Sequence, residues 1–306
     1  MDNLPLFPIF KPLELSDKAS IDTITKQFSP YSDYNFASLW SYNTGNSLII
    51  SNLFDNLIIR FEEYTTNAKC YSFLGHHHTL ETIEHLLDLS EKEKVGDTLK
   101  LVPHSSLENH LLQDTPYVYY EDRDNFDYIL SVEEVATLRS EKYHTHRNHI
   151  NKFDKSYPHC EIKVLTLDEK VRGEMLDVFY RWEKGKGYPR SETEHELLAL
   201  TRLLEHHSSF QLIAIGIYDG QKLIGFSLSD TEHPRYAQVH FAKSDPEYKQ
   251  VYYKLMHTLA QMLLPQGIAY INIEQDLGIA GLRYSKEQWN PSSYLKKYTV
   301  SRKKNL

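Results

Sequence analysis

The chain has little cysteine. Its 306 residues include two, Cys70 and Cys160. Two thiols build neither a disulfide framework nor a zinc finger, and they fit a reducing compartment. Long apolar runs are also missing. No stretch approaches the ~20 apolar residues of a membrane-spanning helix. The first residues, Met1-Asp2-Asn3-Leu4-Pro5, carry no basic segment and no apolar core of signal-peptide length. These absences lead to the expectation of a soluble, cytoplasmic protein, for which contact with a membrane would be peripheral. An excess of positive charge is absent too. Lys and Arg number 34 against 42 Asp and Glu, a net charge of -8. That excludes a generally basic, nucleic-acid-binding surface but leaves room for a local basic groove. There is no internal repeat and no low-complexity tract.

A length of 306 residues favours two domains. The 22 Tyr and 13 Phe are first of all core edges, and second a source of aromatic walls around an extended ligand. Up to about Tyr120, helical and strand signals mix. Ser131-Val132-Glu133-Glu134 opens a short helix like a capping box. A basic stretch from Lys142 to Tyr157 follows, with Ile150 and Phe153 as anchors, and reads as a linking helix. The second half has a clearer order: a strand at 161–165, helices at 168–184 and 192–206, and a hairpin around Asp219-Gly220. A strand at 236–243 comes next, then a helix opened by Asp245-Pro246-Glu247. The last strands are 269–273 and 293–300. The expected domains are 1–130 and 158–306, joined by a helical region at 131–157.

The chemistry concentrates where the run Ala269-Tyr270-Ile271-Asn272-Ile273 stops at Glu274 and Asp276. Gly278 follows, then Arg283 and Lys286 on a helical segment. Acids at a strand end, a tight turn and two cations beyond it are the grouping that α/β proteins use for binding and catalysis. An ion-paired turn and helix start is an equally good reading. The turn Ser244-Asp245-Pro246-Glu247-Tyr248-Lys249-Gln250 contains no glycine, one proline and two acids. A coenzyme A pyrophosphate needs backbone N–H donors at such a turn, so acetyl-CoA is not expected as a donor. Gly75-His76-His77-His78 reads as a solvated tract, because consecutive side chains diverge and do not converge on one ion.

The element order, with Glu121-Asp122-Arg123, the run Arg147-Asn148-His149-Ile150-Asn151-Lys152-Phe153 and the segment 274–283, resembles the C-terminal domain family of phosphatidylglycerol lysyltransferases. That family is similar to the Fem peptidoglycan aminoacyltransferases. The resemblance implies an α/β (α+β) fold of two tandem GNAT-like domains. It implies transfer of an aminoacyl group from aminoacyl-tRNA to an acceptor such as a lipid head group, with no cofactor and no metal. An anionic lipid at a membrane surface is then a second partner beside the tRNA. Glu274, Asp276 and Lys286 become catalytic candidates, and Arg283, Lys243, Arg147, Asn148, His149 and Lys152 substrate-binding candidates. The chain departs from the family pattern at Ala242, Ile273 and Gln275, and also at Ser140, Gln250 and Ala280. Two other classes compete: a non-catalytic binding or regulatory protein on the same scaffold, and an acyltransferase with another small acyl donor.

Overall fold

The computed structural model describes residues 4–62, 68–111, 113–187 and 190–304. The strands in chain order are β1 (Lys11–Pro12), β2 (Ile49–Leu53), β3 (Asn56–Glu62), β4 (Lys69–Leu74), β5 (Thr98–Pro103), β6 (Tyr117–Glu121) and β7 (Asp127–Ser131). They continue with β8 (Cys160–Val164), β9 (Leu212–Asp219), β10 (Lys222–His233), β11 (Tyr236–Ser244), β12 (Tyr270–Asn272), β13 (Ser293–Leu295) and β14 (Lys297–Arg302). The helices are α1 (Lys18–Thr25), α2 (Phe36–Tyr42), α3 (Thr79–Lys92), α4 (His104–Leu107), α5 (Val132–Thr137), α6 (His144–Ser156), α7 (Glu169–Lys186), α8 (Arg190–Glu205), α9 (Val251–Leu263) and α10 (Ala280–Glu287).

Two seven-stranded mixed sheets result. Their orders are β1-β2-β3-β4-β5-β14-β6 and β13-β7-β12-β11-β10-β9-β8. In the first, β1 to β4 pair antiparallel in succession and β4 pairs parallel with β5; in the second, β8 to β11 pair antiparallel in succession and β11 pairs parallel with β12. This is the GNAT-like arrangement, present twice. The parallel pairs are brief. Tyr71 faces Leu99 between β4 and β5. Tyr236 to Gln238 face Tyr270 to Asn272 between β11 and β12, and β11 then runs on to Ser244 without that neighbour. The next neighbour, β14 beside β5 and β7 beside β12, comes from a distant part of the chain. The single strand expected at 293–300 is therefore two strands, β13 and β14, in different sheets.

The chain forms two compact units. One comprises residues 1–128, 275–284 and 294–306, the other 129–274 and 285–293. In the first, Ile83, Leu86 and Leu87 fall on one face of α3, as their spacing requires. They pack with Tyr71, Phe73, Leu99, Val102 and Val300. In the second, Leu255, Met256, Leu259 and Leu263 form the buried stripe of α9. Asp245 does not start that helix. Its Oδ1 accepts from the Glu247 amide at 3.1 Å, a local turn that competes with helix capping, and α9 begins at Val251 behind Gln250 in a left-handed conformation (φ 64°).

Candidate functional site

The second unit carries a cluster of charged groups where β11 leaves β12. Leu228 of β10 faces Phe241 and Ser229 faces Val239, so His240 is the extra residue of a β-bulge. Bulges re-aim side chains and are frequent beside functional sites. His240 Nε2 lies 2.6 Å from Asp230 Oδ2, and its Nδ1 lies 3.4 Å from Glu274 Oε1. Gln238 Nε2 donates to the same Glu274 oxygen at 2.9 Å. Glu274 itself sits at φ 60°, with its amide donating to Asn272 Oδ1 at 2.7 Å. That left-handed residue turns the chain sharply as the strand ends. Burial pulls the His240 ring toward its neutral form, but the Asp230 and Glu274 carboxylates outweigh it and push the pKa up to about 9. The two acids on either side of the ring favour its imidazolium form. Lys286 Nζ donates to the Ile273 carbonyl at 2.5 Å, beside Glu274 in the chain.

Lys243 lies further along β11. Residues directly opposite each other in an antiparallel pair share a face. Phe226 faces Lys243 and Asp230 faces Gln238, so Lys243, Gln238 and Asp230 share one face of the sheet. The Lys243 ammonium sits 3.6 Å from the Trp182 ring centroid, 5.6 Å from that of Phe179, and 2.6 Å from Glu196 Oε1. Its burial lowers the pKa, and Glu196 offsets this only in part.

The turn after β11 is built against an anion. The Asp245 carboxylate is buried and paired with Arg181 Nε at 2.8 Å and Lys222 Nζ at 2.9 Å. The two cations near the turn are thus satisfied by the chain's own acid. A Cβ added to Gly185 of α7 would lie 2.2 Å from Pro246 Cγ, so α7 presses directly on the turn. A cavity of ≈ 540 Å³ in this unit, lined by Leu165, Asp168, Arg172, His207, Phe210 and their neighbours, contains none of the groups named above.

Asp276 and Arg283 meet in the first unit. Arg283 donates Nε to Asp276 Oδ2 at 2.9 Å and Nη2 to Oδ1 at 2.7 Å. Tyr128 Oη donates at 2.5 Å, Arg123 Nη1 at 3.3 Å and the Gly278 amide at 2.8 Å. Burial opposes the Asp276 charge, but the bonds from Arg283, Tyr128 and Gly278 outweigh it and lower the pKa. Arg283 also binds Asp124 at 2.6 Å. Gly278 (φ 72°) lets that carboxylate approach, since a Cβ there would lie 2.9 Å from Asp124 Oδ2. Arg123, Tyr128 and the segment 276–283 therefore meet in one knot around a buried carboxylate. Its lone pairs are committed to five donors, an arrangement suited to holding a turn rather than moving a proton.

The basic helix α6 is mixed. Arg147 donates Nη1 to the Ser140 carbonyl at 2.9 Å and also to the Leu138 carbonyl, closing the end of α5. His149 stacks on Tyr253 with ring centroids 4.3 Å apart, and Asn148 contacts His144 at 3.4 Å. Lys152 is exposed. Arg147, Asn148 and His149 thus each contact different neighbours.

Sequence reasoning missed several groups. His240 and Asp230 lie in strands read only for their apolar pattern, and the bulge that joins them has no local sequence signal. Lys297 was also missed. It is fully buried, with Nζ at 2.8 Å from Asp127 and in contact with Asp33. Burial disfavours its charge, but the two carboxylates prevail and push the pKa up to about 12. Ser32 donates to Asp127 at 2.5 Å and contacts Gln275 at 2.6 Å. The Lys142-to-Tyr157 stretch gave no hint that His146 is buried between Tyr143, Tyr253 and Trp289 with no hydrogen bond to either ring nitrogen.

Comparison with known proteins agrees with this architecture. The sequence matches the family described as phosphatidylglycerol lysyltransferase, C-terminal, over residues 26–301. It is 26% identical over 186 residues to an uncharacterized protein of Mycoplasmoides gallisepticum, covering 60% of this chain and 58% of that one. The chain thus spans a little over half the length of that relative. A conserved protein of unknown function from Bacteroides thetaiotaomicron superposes with a TM-score of 0.84 at 26% identity, covering 96% of this chain and 99% of the other. The C-terminal domain of a putative lysylphosphatidylglycerol synthetase from Agrobacterium fabrum has the same fold, with a TM-score of 0.65 at 11% identity, 95% of this chain and 93% of that one. So does L-PGS from Bacillus licheniformis, with a TM-score of 0.60 at 13% identity over the same shares. No helix among the described residues is long and apolar enough to cross a membrane. The chain belongs to the family of phosphatidylglycerol lysyltransferase C-terminal domains.

Proposed function

We propose that the chain is an aminoacyltransferase that takes its aminoacyl group from aminoacyl-tRNA and passes it to a nucleophilic acceptor, a lipid head group being the first candidate. Family membership supports acyl transfer of this kind. The observation that carries the reading is the Glu274 cluster, a carboxylate set by Gln238 and His240 at the opening between β11 and β12. The ester of an aminoacyl-tRNA is already activated. The protein has to position it and stabilise the charge that develops on the carbonyl oxygen. Lys286 and Lys243 are the candidate cations for that charge. Asp276 and Arg283 hold the turn that follows Glu274. The turn after β11, filled by Asp245 and pressed by α7, argues against a coenzyme A donor. Lys152, exposed on α6, is a candidate phosphate contact for the tRNA. Incubation with total charged tRNA and a membrane-lipid extract tests the reading. An aminoacylated product supports it, and no product with any lipid or charged tRNA overturns it.

A further inference from the structure

In the second unit two buried side chains, Asp230 and His240, stand behind a partly exposed one, Glu274. The side-chain exposures are 2% for Asp230, 0% for His240 and 20% for Glu274. We propose that Asp230 and His240 are positioning residues that fix the Glu274 carboxylate as the counter-ion of the free α-ammonium group of the aminoacyl donor. The inference rests on the aminoacyltransferase reading above and assigns a substrate group to that same site.

The geometry carries it in three steps. First, the bulge at His240 places the ring where it touches Asp230 of β10 on one side and Glu274, beyond β12, on the other. Asp230 at 2.6 Å fixes the ring, and the ring with Gln238 fixes Glu274 Oε1. Second, two carboxylates around one imidazole leave these three side chains net negative in either state of the ring, and a partly exposed carboxylate in such a group favours a cation. Third, Gln238 and the His240 ring both hold Glu274 through Oε1, and among the described residues Oε2 has no hydrogen-bond donor, so that oxygen is the one placed to accept from an ammonium group.

The test uses the whole chain and small probes. Binding of a panel of amino-acid amides is measured by calorimetry against their N-acetylated forms, which lack the ammonium charge. The chain is expected to prefer the free amine of at least one pair by about tenfold or more, the scale of one charge-assisted contact. Glu274→Gln abolishes this preference. His240→Leu and Asp230→Asn reduce it, and His240→Gln, which keeps a donor, retains part of it. General damage to the fold would weaken both probes equally and leave the ratio unchanged, so the ratio reads positioning. Absence of any preference, or a preference that survives Glu274→Gln, overturns the inference. The transferase reading fails separately. A chain that shows the preference but transfers nothing keeps the ammonium site and loses the reaction. A chain that transfers aminoacyl and N-acetylaminoacyl groups equally well keeps the reaction and loses this role for Glu274.

Discussion

Replacing Asp276 by alanine removes the acceptor shared by Arg283, Arg123, Tyr128 and the Gly278 amide. Removing one partner of a buried ion pair typically costs about 3–5 kcal/mol. The two guanidiniums keep roughly a third of their side-chain surface in water, 35% for Arg123 and 32% for Arg283, and rehydrate when the carboxylate is lost. The charge contribution therefore belongs at the lower end. The Tyr128 hydroxyl, which loses its acceptor, adds about 1 kcal/mol. The expected loss is about 3–4 kcal/mol. With a urea slope of about 2–3 kcal/mol per molar, the midpoint falls by roughly 1–2 M. Asp276→Asn keeps an acceptor for the Gly278 amide and should lose less. Urea titration followed by circular dichroism measures both. A midpoint unchanged within about 0.3 M, together with lost transfer, would refute the structural role and make Asp276 a group that acts on substrate.

Burial, with a smaller push from His149, holds the His146 pKa down to about 4 against an ordinary 6.5. The folded value lies below the unfolded one, so this contribution to stability is complete above pH 6.5 and is lost as pH falls toward 4, by up to about 3 kcal/mol. His146→Phe should flatten the midpoint-against-pH curve in that window. Gly185→Val forces a side chain into Pro246 and should cost about 1–3 kcal/mol, read as a lower melting temperature. Changing Lys152 and Lys155 together to Ala should weaken tRNA binding and flatten its log–log salt slope by up to about two units. Arg147→Ala should instead cost about 1 kcal/mol of stability, since its guanidinium closes the end of α5. Calorimetry with acetyl-CoA should show no micromolar binding.

The sequence made the elements of the second unit readable because each has its own local signal. The hairpin has Asp219-Gly220, α7 has an Asp168 cap that accepts from the Val171 amide at 2.8 Å, and β12 ends two residues before Glu274. The exchange of β7 and β14 between sheets is a matter of long-range pairing, and nothing in Lys297–Arg302 says which sheet it completes. Asp245 looked like a helix cap, because Asp before Pro usually is one, but its carboxylate is taken by Arg181 and Lys222. The acids and cations at 274–286 were visible as a group, whereas their partners were not. Asp276 is bound by Arg123 and Tyr128, and Glu274 by Gln238 and His240, residues far away in the chain. An isolated sequence shows charge and spacing, but the pairing of charges is decided by the sheets.

The most direct measurement follows label from aminoacyl-tRNA into lipid-extractable product, with the unaltered chain and the Glu274→Gln variant at equal urea midpoints. The account predicts that the unaltered chain yields labelled product and that the variant loses at least about tenfold in rate. A variant as active as the unaltered chain, or an unaltered chain that leaves the label on the tRNA with every acceptor offered, would contradict it.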